Sequence, residues 1–216
     1  TGIPEGVAVT VTKRIPPAAG LGGASSDAAA ALVLFRKLWA PRKGIRFLRE
    51  VAASVGSDVP FFFDGGTVLA TGRGERTRQL APLECQWVVL ALPEFGVKTP
   101  QAYRLWDGLS DSKRRKYLRP LSKRWRSRLD LLSNDLQGPV VEQYPSIAEM
   151  TERLRVVGAS GSAMSGSGSA VFGLFATQAE AVVARRRIRK PGWRTWITRT
   201  ILRSDYVRLA APARID

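Results

Sequence analysis

Between Gly20 and Ser26 the sequence reads Gly-Leu-Gly-Gly-Ala-Ser-Ser and runs without a break into Asp27–Trp39, an Ala- and Leu-rich stretch with Arg36 and Lys37 in its last turn. Glycines spaced this closely permit backbone angles closed to other residues and let the main chain approach a ligand with no Cβ in the way. A helix that starts at such a loop turns free N–H groups and the positive end of its dipole towards whatever sits there. The pattern therefore predicts a helix over 27–39 whose N-terminus receives an anion, above all a phosphate. Ser25 and Ser26 add hydroxyls able to meet phosphate oxygens or a magnesium ion. Neither GxxxxGK[ST] nor GxGxxG fits the spacing, so neither the P-loop nor the dinucleotide fold follows. Taken alone, a glycine-serine loop before a helix can equally be a plain turn with its cap.

The flanking sequence alternates strand and helix signals. Val7 to Thr12 alternates as a strand and meets Pro16 and Pro17. Residues 46–55 read as a helix, Val59 to Phe63 as a buried run after Asp58, and Gly65 to Thr71 as a strand closed by the Gly72-Arg73-Gly74 turn. Gln86 to Leu92 reads as a buried strand ending at Pro93, and a helix begins near Leu136. A second Gly/Ser-rich loop covers Ser160 to Ser169, before a strand over Ala170–Phe175 and a helix over Gln178–Arg189. The alternation argues for α/β or α+β architecture, with a boundary near residues 80–84.

Composition narrows the chemistry. The 216 residues contain no histidine, so acid/base work falls to Asp, Glu, Lys or Tyr. A single cysteine, Cys85, allows neither an internal disulfide nor a cysteine-based metal cluster and suits a reducing cytoplasm. No apolar run approaches the roughly 18–20 residues that span a bilayer, so a soluble cytoplasmic protein is expected. The net charge of +16 is concentrated in two clusters: Lys113, Arg114, Arg115, Lys116, Arg119, Lys123, Arg124, Arg126 and Arg128, then Arg185, Arg186, Arg187, Arg189 and Lys190. A solvated face explains such runs, and affinity for polyanions, helped by Trp106 and Trp125, is the functional alternative.

Four segments carry a resemblance: PPAAGLGGASSDAAAAL at 16–32, GSDVPFF at 56–62, SNDLQGPV at 133–140 and MSGSGSAVFGLF at 164–175. In this order and spacing, with Thr99, Tyr103 and the GRGER turn, the chain resembles the GHMP small-molecule kinases. GSDVP and SNDL point to the branch that phosphorylates a cytidine-diphosphate derivative of methylerythritol in non-mevalonate isoprenoid synthesis. The resemblance implies an α+β two-domain fold: an incomplete nucleotide domain like domain 2 of ribosomal protein S5 over 1–82, and a ferredoxin-like C-terminal domain over 83–216. It implies ATP and Mg²⁺, with Pro16, Ala18, Ala19, Gly20, Leu21, Gly22, Gly23, Ala24, Ser25 and Ser26 around the phosphates and Ser25 and Ser26 nearest the metal.

Asp58 matches the family's aspartate beside the acceptor hydroxyl, as base or orienting group, although it could instead be a plain cap. Ser165, Gly166, Ser167 and Gly168 match a second active-site loop, which also reads as a simple strand entry. Asn134 and Asp135 read as helix caps. The family's lysine, in an opening PAK-like motif, has no counterpart here, and Lys13 belongs to another motif. With Thr1 leading straight into the Val7–Thr12 strand, a missing N-terminal segment is expected. The loop reads GGASS where relatives often carry GGGSS. A monomer or homodimer acting on a small molecule is implied, with no specific nucleic acid and no membrane. Kinases of homoserine, mevalonate or a sugar, and a noncatalytic basic nucleic-acid-binding relic, are the rival readings.

Overall fold

A computed structural model describes residues 6–118 and 132–210, and its contacts divide the chain into two units. One comprises Glu84–Thr200 together with Ile15–Leu21; the other is Gly22–Leu83 with the described residues up to Arg14 and from Ile201. Arg119, Lys123, Arg124, Arg126 and Arg128 of the first basic cluster, and the nearby Trp125, lie outside the described residues.

The unit containing Glu84–Thr200 is built on an antiparallel sheet in the order β4 (Gly161–Met164), β5 (Val171–Phe175), β3 (Trp87–Pro93) and β6 (Trp193–Arg199). Helices α3 (Thr99–Asp107), α4 (Asp111–Tyr117), α5 (Gln137–Gln143) and α6 (Pro145–Val156) fall between β3 and β4, and α7 (Gln178–Arg187) between β5 and β6. This βαββαβ path, with the first strand between the third and fourth, is the ferredoxin-like arrangement. Strand β3 is central, which explains why its sequence is apolar almost throughout rather than alternating. At the edge, β6 does alternate: Trp193, Thr195 and Ile197 are half-buried while Arg194, Trp196 and Thr198 are exposed. Val89, Ala91, Val171 and Phe175 form one core with Ile147, Met150 and Leu154 of α6 and Ala181 and Ala184 of α7. Gly173 sits opposite Val89, where a Cβ would come within 3.0 Å of Leu154 Cδ2, so α6 packs directly on the strand backbone. A capping box starts α7, with the Thr177 hydroxyl accepting from Glu180 N–H and the Glu180 carboxylate from Thr177 N–H.

In the other unit α1 (Gly23–Trp39) and α2 (Ile45–Val55) pack with a 3₁₀ turn over Val59–Phe63. Ala29, Ala52 and Val59 are buried there, against Leu32, Phe62 and Phe63. Beside them β1 (Val68–Thr71) and β2 (Arg76–Gln79) form a two-stranded hairpin, and α8 (Arg203–Ala210) docks through Tyr206, whose hydroxyl donates to the Phe62 carbonyl at 2.5 Å. The Tyr206 ring occupies the place a Cβ on Gly65 would need. By contact α8 belongs with this unit, although in sequence it follows the other.

Three sequence expectations are corrected. Val7, Val9 and Val11 are 47%, 55% and 53% exposed and Val7–Thr12 forms no strand, because none of the described residues provides a ladder partner. The first helix begins at Gly23 rather than Asp27, since the small residues Gly23–Ser26 adopt helical angles once Gly22 has made the left-handed turn. The second glycine-rich loop shortens because Gly161–Met164 is strand β4, paired to β5.

One ion pair ties the second of these units together. Arg49 on α2 donates to Asp64 Oδ1 at 2.5 Å and to Thr77 Oγ1 on β2 at 2.8 Å, so a single guanidinium joins helix, turn and hairpin. Burial pushes the Asp64 carboxyl up, but the Arg49 and Thr77 hydrogen bonds and the charges of Arg49 and Arg203 outweigh it and hold it below its ordinary value. A carboxyl lowered in the folded state stabilises the fold above its unfolded pKa, about 4, and that contribution is lost as pH falls through the folded value. Asp64→Asn should therefore cost about 1–3 kcal/mol at neutral pH and flatten the acid limb of the stability profile. Chemical denaturation from pH 7 down to pH 3 measures both, and an unchanged acid limb would show that the pair contributes nothing.

Candidate functional site

The chain crosses from one unit to the other between Leu21 and Gly22, so the first glycine loop has two parts. Ile15–Leu21 lies on the turn that joins β4 to β5. The Ala170 N–H donates to the Ala19 carbonyl at 3.0 Å, the Ser165 hydroxyl donates to the Gly20 carbonyl at 2.8 Å, and the Val97 N–H donates to the Ala18 carbonyl at 3.1 Å. Ala19 is buried against Leu92 and Ala170, with Leu21 alongside. At Gly20, with φ of 70°, an added Cβ would fall on the Ser165 carbonyl oxygen and within 2.9 Å of the Gly168 nitrogen. Ala18 also has a positive φ, 55°, a conformation that disfavours a residue with a Cβ. Pro16, at the start of this segment, is half-buried.

The second loop is closed on itself. The Ser165 N–H donates to the Ala170 carbonyl and the Gly168 N–H to the Ser165 carbonyl, both at 2.9 Å. Gly166 and Gly168 have φ of 53° and 86°. Ser167 shares a hydrogen bond with Thr99 of α3 at 2.9 Å, and the buried Ser169 hydroxyl donates to the Phe95 carbonyl at 2.7 Å. The structure thus brings Ala18–Gly20 together with Ser165–Gly168, and the hydroxyls of Ser165 and Ser167 are both engaged with protein atoms.

Asn134 has a role the sequence did not suggest. Its Oδ1 accepts from the Leu136 N–H at 3.0 Å, as a cap residue would, but its Nδ2 reaches across to donate to the Met164 carbonyl at 2.9 Å and the Gly166 carbonyl at 2.7 Å. Gln137, one helical turn on, accepts from the Met164 N–H at 2.7 Å. The only signal available in the sequence was two amide side chains three residues apart in SNDLQ, which place both on one side of a helix start.

In the other unit Gly22, with φ of 68°, caps α1 and provides no side chain, and the Ser26 N–H closes on the Gly22 carbonyl at 2.9 Å. The N–H groups of Gly23, Ala24 and Ser25 meet no acceptor among the described residues, and no acidic side chain lies in the first turn. Asp27, the nearest carboxylate in the helix, is paired with Lys13. The helix end is thus an uncompensated positive pole of the kind that holds phosphates. Ser26 Oγ donates to the Gly23 carbonyl at 2.8 Å, which leaves its oxygen lone pairs available; Ser25 is half-buried. A Cβ at Gly22 would lie 2.8 Å from Phe62 Cζ, so packing demands glycine there quite apart from any ligand.

Asp58 immediately precedes the 3₁₀ turn that carries Phe62. Its carboxylate is exposed and makes no capping hydrogen bond, so the plain cap is not what the geometry shows. The nearest glycine, Gly74 in the β1–β2 turn, would place a Cβ 3.2 Å from Asp58 Oδ1. Glu75 in the same turn accepts from the Arg73 N–H at 2.8 Å, and hydrogen bonds from its own N–H and that of Arg73 lower its carboxyl. Among the described residues no three His, Cys, Asp or Glu side chains gather as a metal site, and no helix is long and apolar enough to cross a membrane.

Comparison with known proteins gives the family. Residues 1–66 match the GHMP kinases N terminal domain and 117–192 the GHMP kinases C terminal model. The 4-diphosphocytidyl-2-C-methyl-D-erythritol kinase of Pelotomaculum thermopropionicum is 40% identical over 203 residues, 92% of this chain and 71% of the relative. A crystal structure of 4-(cytidine 5'-diphospho)-2C-methyl-D-erythritol kinase superposes with a TM-score of 0.70 at 34% identity, covering 87% of this chain and 68% of that one. The homoserine kinase of Cytophaga hutchinsonii superposes as well, at 0.71, with 88% and 68% covered, but at 15% identity it shares the fold alone. Among curated relatives the span ranges from 71% of their length down to 58%, the latter in the Shouchella clausii kinase. The chain belongs to the GHMP kinases, in the branch of the 4-diphosphocytidyl-2-C-methyl-D-erythritol kinases.

Proposed function

We propose that the protein transfers the γ-phosphoryl group of ATP to the 2-hydroxyl of 4-diphosphocytidyl-2-C-methyl-D-erythritol in the cytoplasm, as a step of non-mevalonate isoprenoid synthesis. The observation that carries this reading is the 40% identity over 92% of the chain, in a protein whose α1 N-terminus has three amide donors and no acid in its first turn. In this reading residues 1–82 form the N-terminal ATP-binding domain and 83–216 the C-terminal domain.

The donors of Gly23, Ala24 and Ser25 hold phosphate oxygens, and Ser25 and Ser26 are the hydroxyls that would meet Mg²⁺. Magnesium neutralises charge on the transferred group when bound. Asp58 takes the proton from the acceptor hydroxyl as its oxygen bonds to phosphorus and the bond to the departing ADP breaks. An exposed carboxylate without a capping bond is free to accept that proton. Phe62 packs on Gly22, so the turn that Asp58 begins is fixed against the first turn of α1. Ala18, Ala19, Gly20 and Leu21 serve by their backbone, anchored on the loop that holds Ser165, Gly166, Ser167 and Gly168.

Steady-state assays against a panel of 4-diphosphocytidyl-2-C-methyl-D-erythritol, homoserine, mevalonate and galactose test the substrate. The cytidine-diphosphate acceptor should dominate, and preference for any other would reject the reading. Asp58→Asn should lower kcat roughly 10²–10⁴-fold, the range for a positioned base, with ATP binding nearly intact. Full turnover in that variant would make Asp58 structural. Gly20→Ala should lower stability by about 1–3 kcal/mol through overpacking against Ser165 and Gly168 and weaken ATP binding, as calorimetry and thermal melting would register.

A further inference from the structure

We propose that Asn134 is a positioning residue for nucleotide binding, acting through the Ser165–Gly168 loop on the Gly20 backbone. The inference rests on the kinase reading above and adds to it a residue that touches neither the transferred phosphate nor the acceptor.

The argument follows a chain of hydrogen bonds within one unit. The loop from Ser165 to Gly168 makes few bonds of its own, Ser165 N–H to Ala170 and Gly168 N–H to Ser165 among them. Glycines at 166 and 168 with positive φ give its backbone many alternatives to the observed path. Besides the Thr99 bond to Ser167, a brace at the entry to the loop is therefore needed to select one path. Asn134 provides it at two consecutive exits, donating both Nδ2 hydrogens, to the Met164 and Gly166 carbonyls that flank Ser165. Its remaining polar atom is fixed by the Leu136 N–H, so the amide cannot rotate without breaking three bonds. Gln137 holds the Met164 N–H, which fixes the strand exit from the other side. The residue so clamped, Ser165, is the one whose hydroxyl donates to Gly20 O and whose carbonyl packs where a Cβ of Gly20 would go.

Helix capping alone does not account for this arrangement. A cap needs only an acceptor at position 134, which Asp supplies as well as Asn. The two donated bonds need an amide. An aspartate there would keep the Leu136 bond but turn a carboxylate oxygen on two carbonyl oxygens, leaving both without a donor and repelling them. Capping and positioning thus predict opposite outcomes for one nearly isosteric change.

The test compares Asn134→Asp with Asp135→Asn, one residue along, whose side chain makes no bond to the loop among the described residues. In the purified full-length protein, Asn134→Asp should raise the KM for ATP about 10–100-fold, as expected for lost hydrogen bonds and a displaced binding segment, while kcat falls much less. Asp135→Asn should leave both near wild type. Hydrogen exchange gives a readout independent of turnover: the Ser165 and Gly168 amides should exchange faster in Asn134→Asp, with the amides of α6 and β5 unchanged. Should Asn134→Asp fail to fold, Asn134→Ala, which removes the bonds without adding repulsion, should show the same two effects more weakly. Wild-type KM and wild-type exchange at Ser165 and Gly168 in a folded variant would overturn the proposal. An inactive wild type would reject the kinase reading instead, leaving the exchange result to decide whether Asn134 braces the loop.

Discussion

The contact between Gly20 and Ser165 sets the position of the first glycine loop. Main-chain bonds at Ala18, Ala19 and Gly20 attach Ile15–Leu21 to loops of the four-stranded unit, and this attachment leaves no volume for a side chain at residue 20. A segment held through its carbonyls is insensitive to the identity of most of its side chains, which explains how Pro, Ala and Leu can furnish a loop that serves by its backbone. It also explains the left-handed angle at Ala18. A residue with a Cβ accepts that conformation only where surrounding bonds impose it, and the bond from the Val97 N–H to the Ala18 carbonyl is one of them.

The electrostatics of α1 follow from what is missing around its first turn. A helix this long normally gains from an acidic side chain near its N-terminus. None is present, and the nearest, Asp27, is engaged by Lys13. The positive pole is left uncompensated, at some cost to the helix itself, which suits a site more than a structural element. Stability is recovered elsewhere, in the buried contacts of Ala29 with Ala52 and Val59 and in the guanidinium of Arg49.

Legibility in the sequence tracked how local the determining physics was. The helix after the glycine loop, α2, α7, and the central strand β3 with its neighbour β5 were readable because each rests on its own periodicity or apolar run. Strands β4 and β6 were not. Gly161–Met164 has the composition of a loop and becomes a strand only by pairing with Val171–Leu174, while Trp193–Arg199 carries charges that an edge strand tolerates. The Val7–Thr12 alternation misled for the converse reason, since a strand pattern without a ladder partner is only a pattern. At the candidate site, some of the reasons read from the sequence differ from what the packing shows. Glycine at 22 looked like room for phosphate, whereas the ring of Phe62 fills the space its Cβ would take. Asn134 looked like a helix cap; its Oδ1 does accept from the Leu136 N–H just ahead of α5, yet its other two hydrogen bonds go to residues some thirty positions away, beyond the reach of any local rule.

Asp58 and Asp64 flank one short turn and are held in opposite ways. The two carboxylates bracket Val59–Phe63, the first before its opening residue and the second after its last. Asp64 is 8% exposed and bonded to the half-buried Arg49, so its loss would leave that guanidinium without its carboxylate. Tyr206, whose hydroxyl is pushed up by burial and by the Asp64 charge, covers the same end through Gly65 and Phe62. The side-chain hydrogen bonds are therefore applied at the far end of the turn. The near end needs none, because Val59 is buried against α1 and α2 and fixes the backbone that bears Asp58. A carboxylate positioned by its main chain but free at its oxygens meets both demands on a general base, a fixed location and an unoccupied lone pair. Gly74 in the β1–β2 turn, where an added Cβ would lie 3.2 Å from Asp58 Oδ1, leaves that oxygen its room.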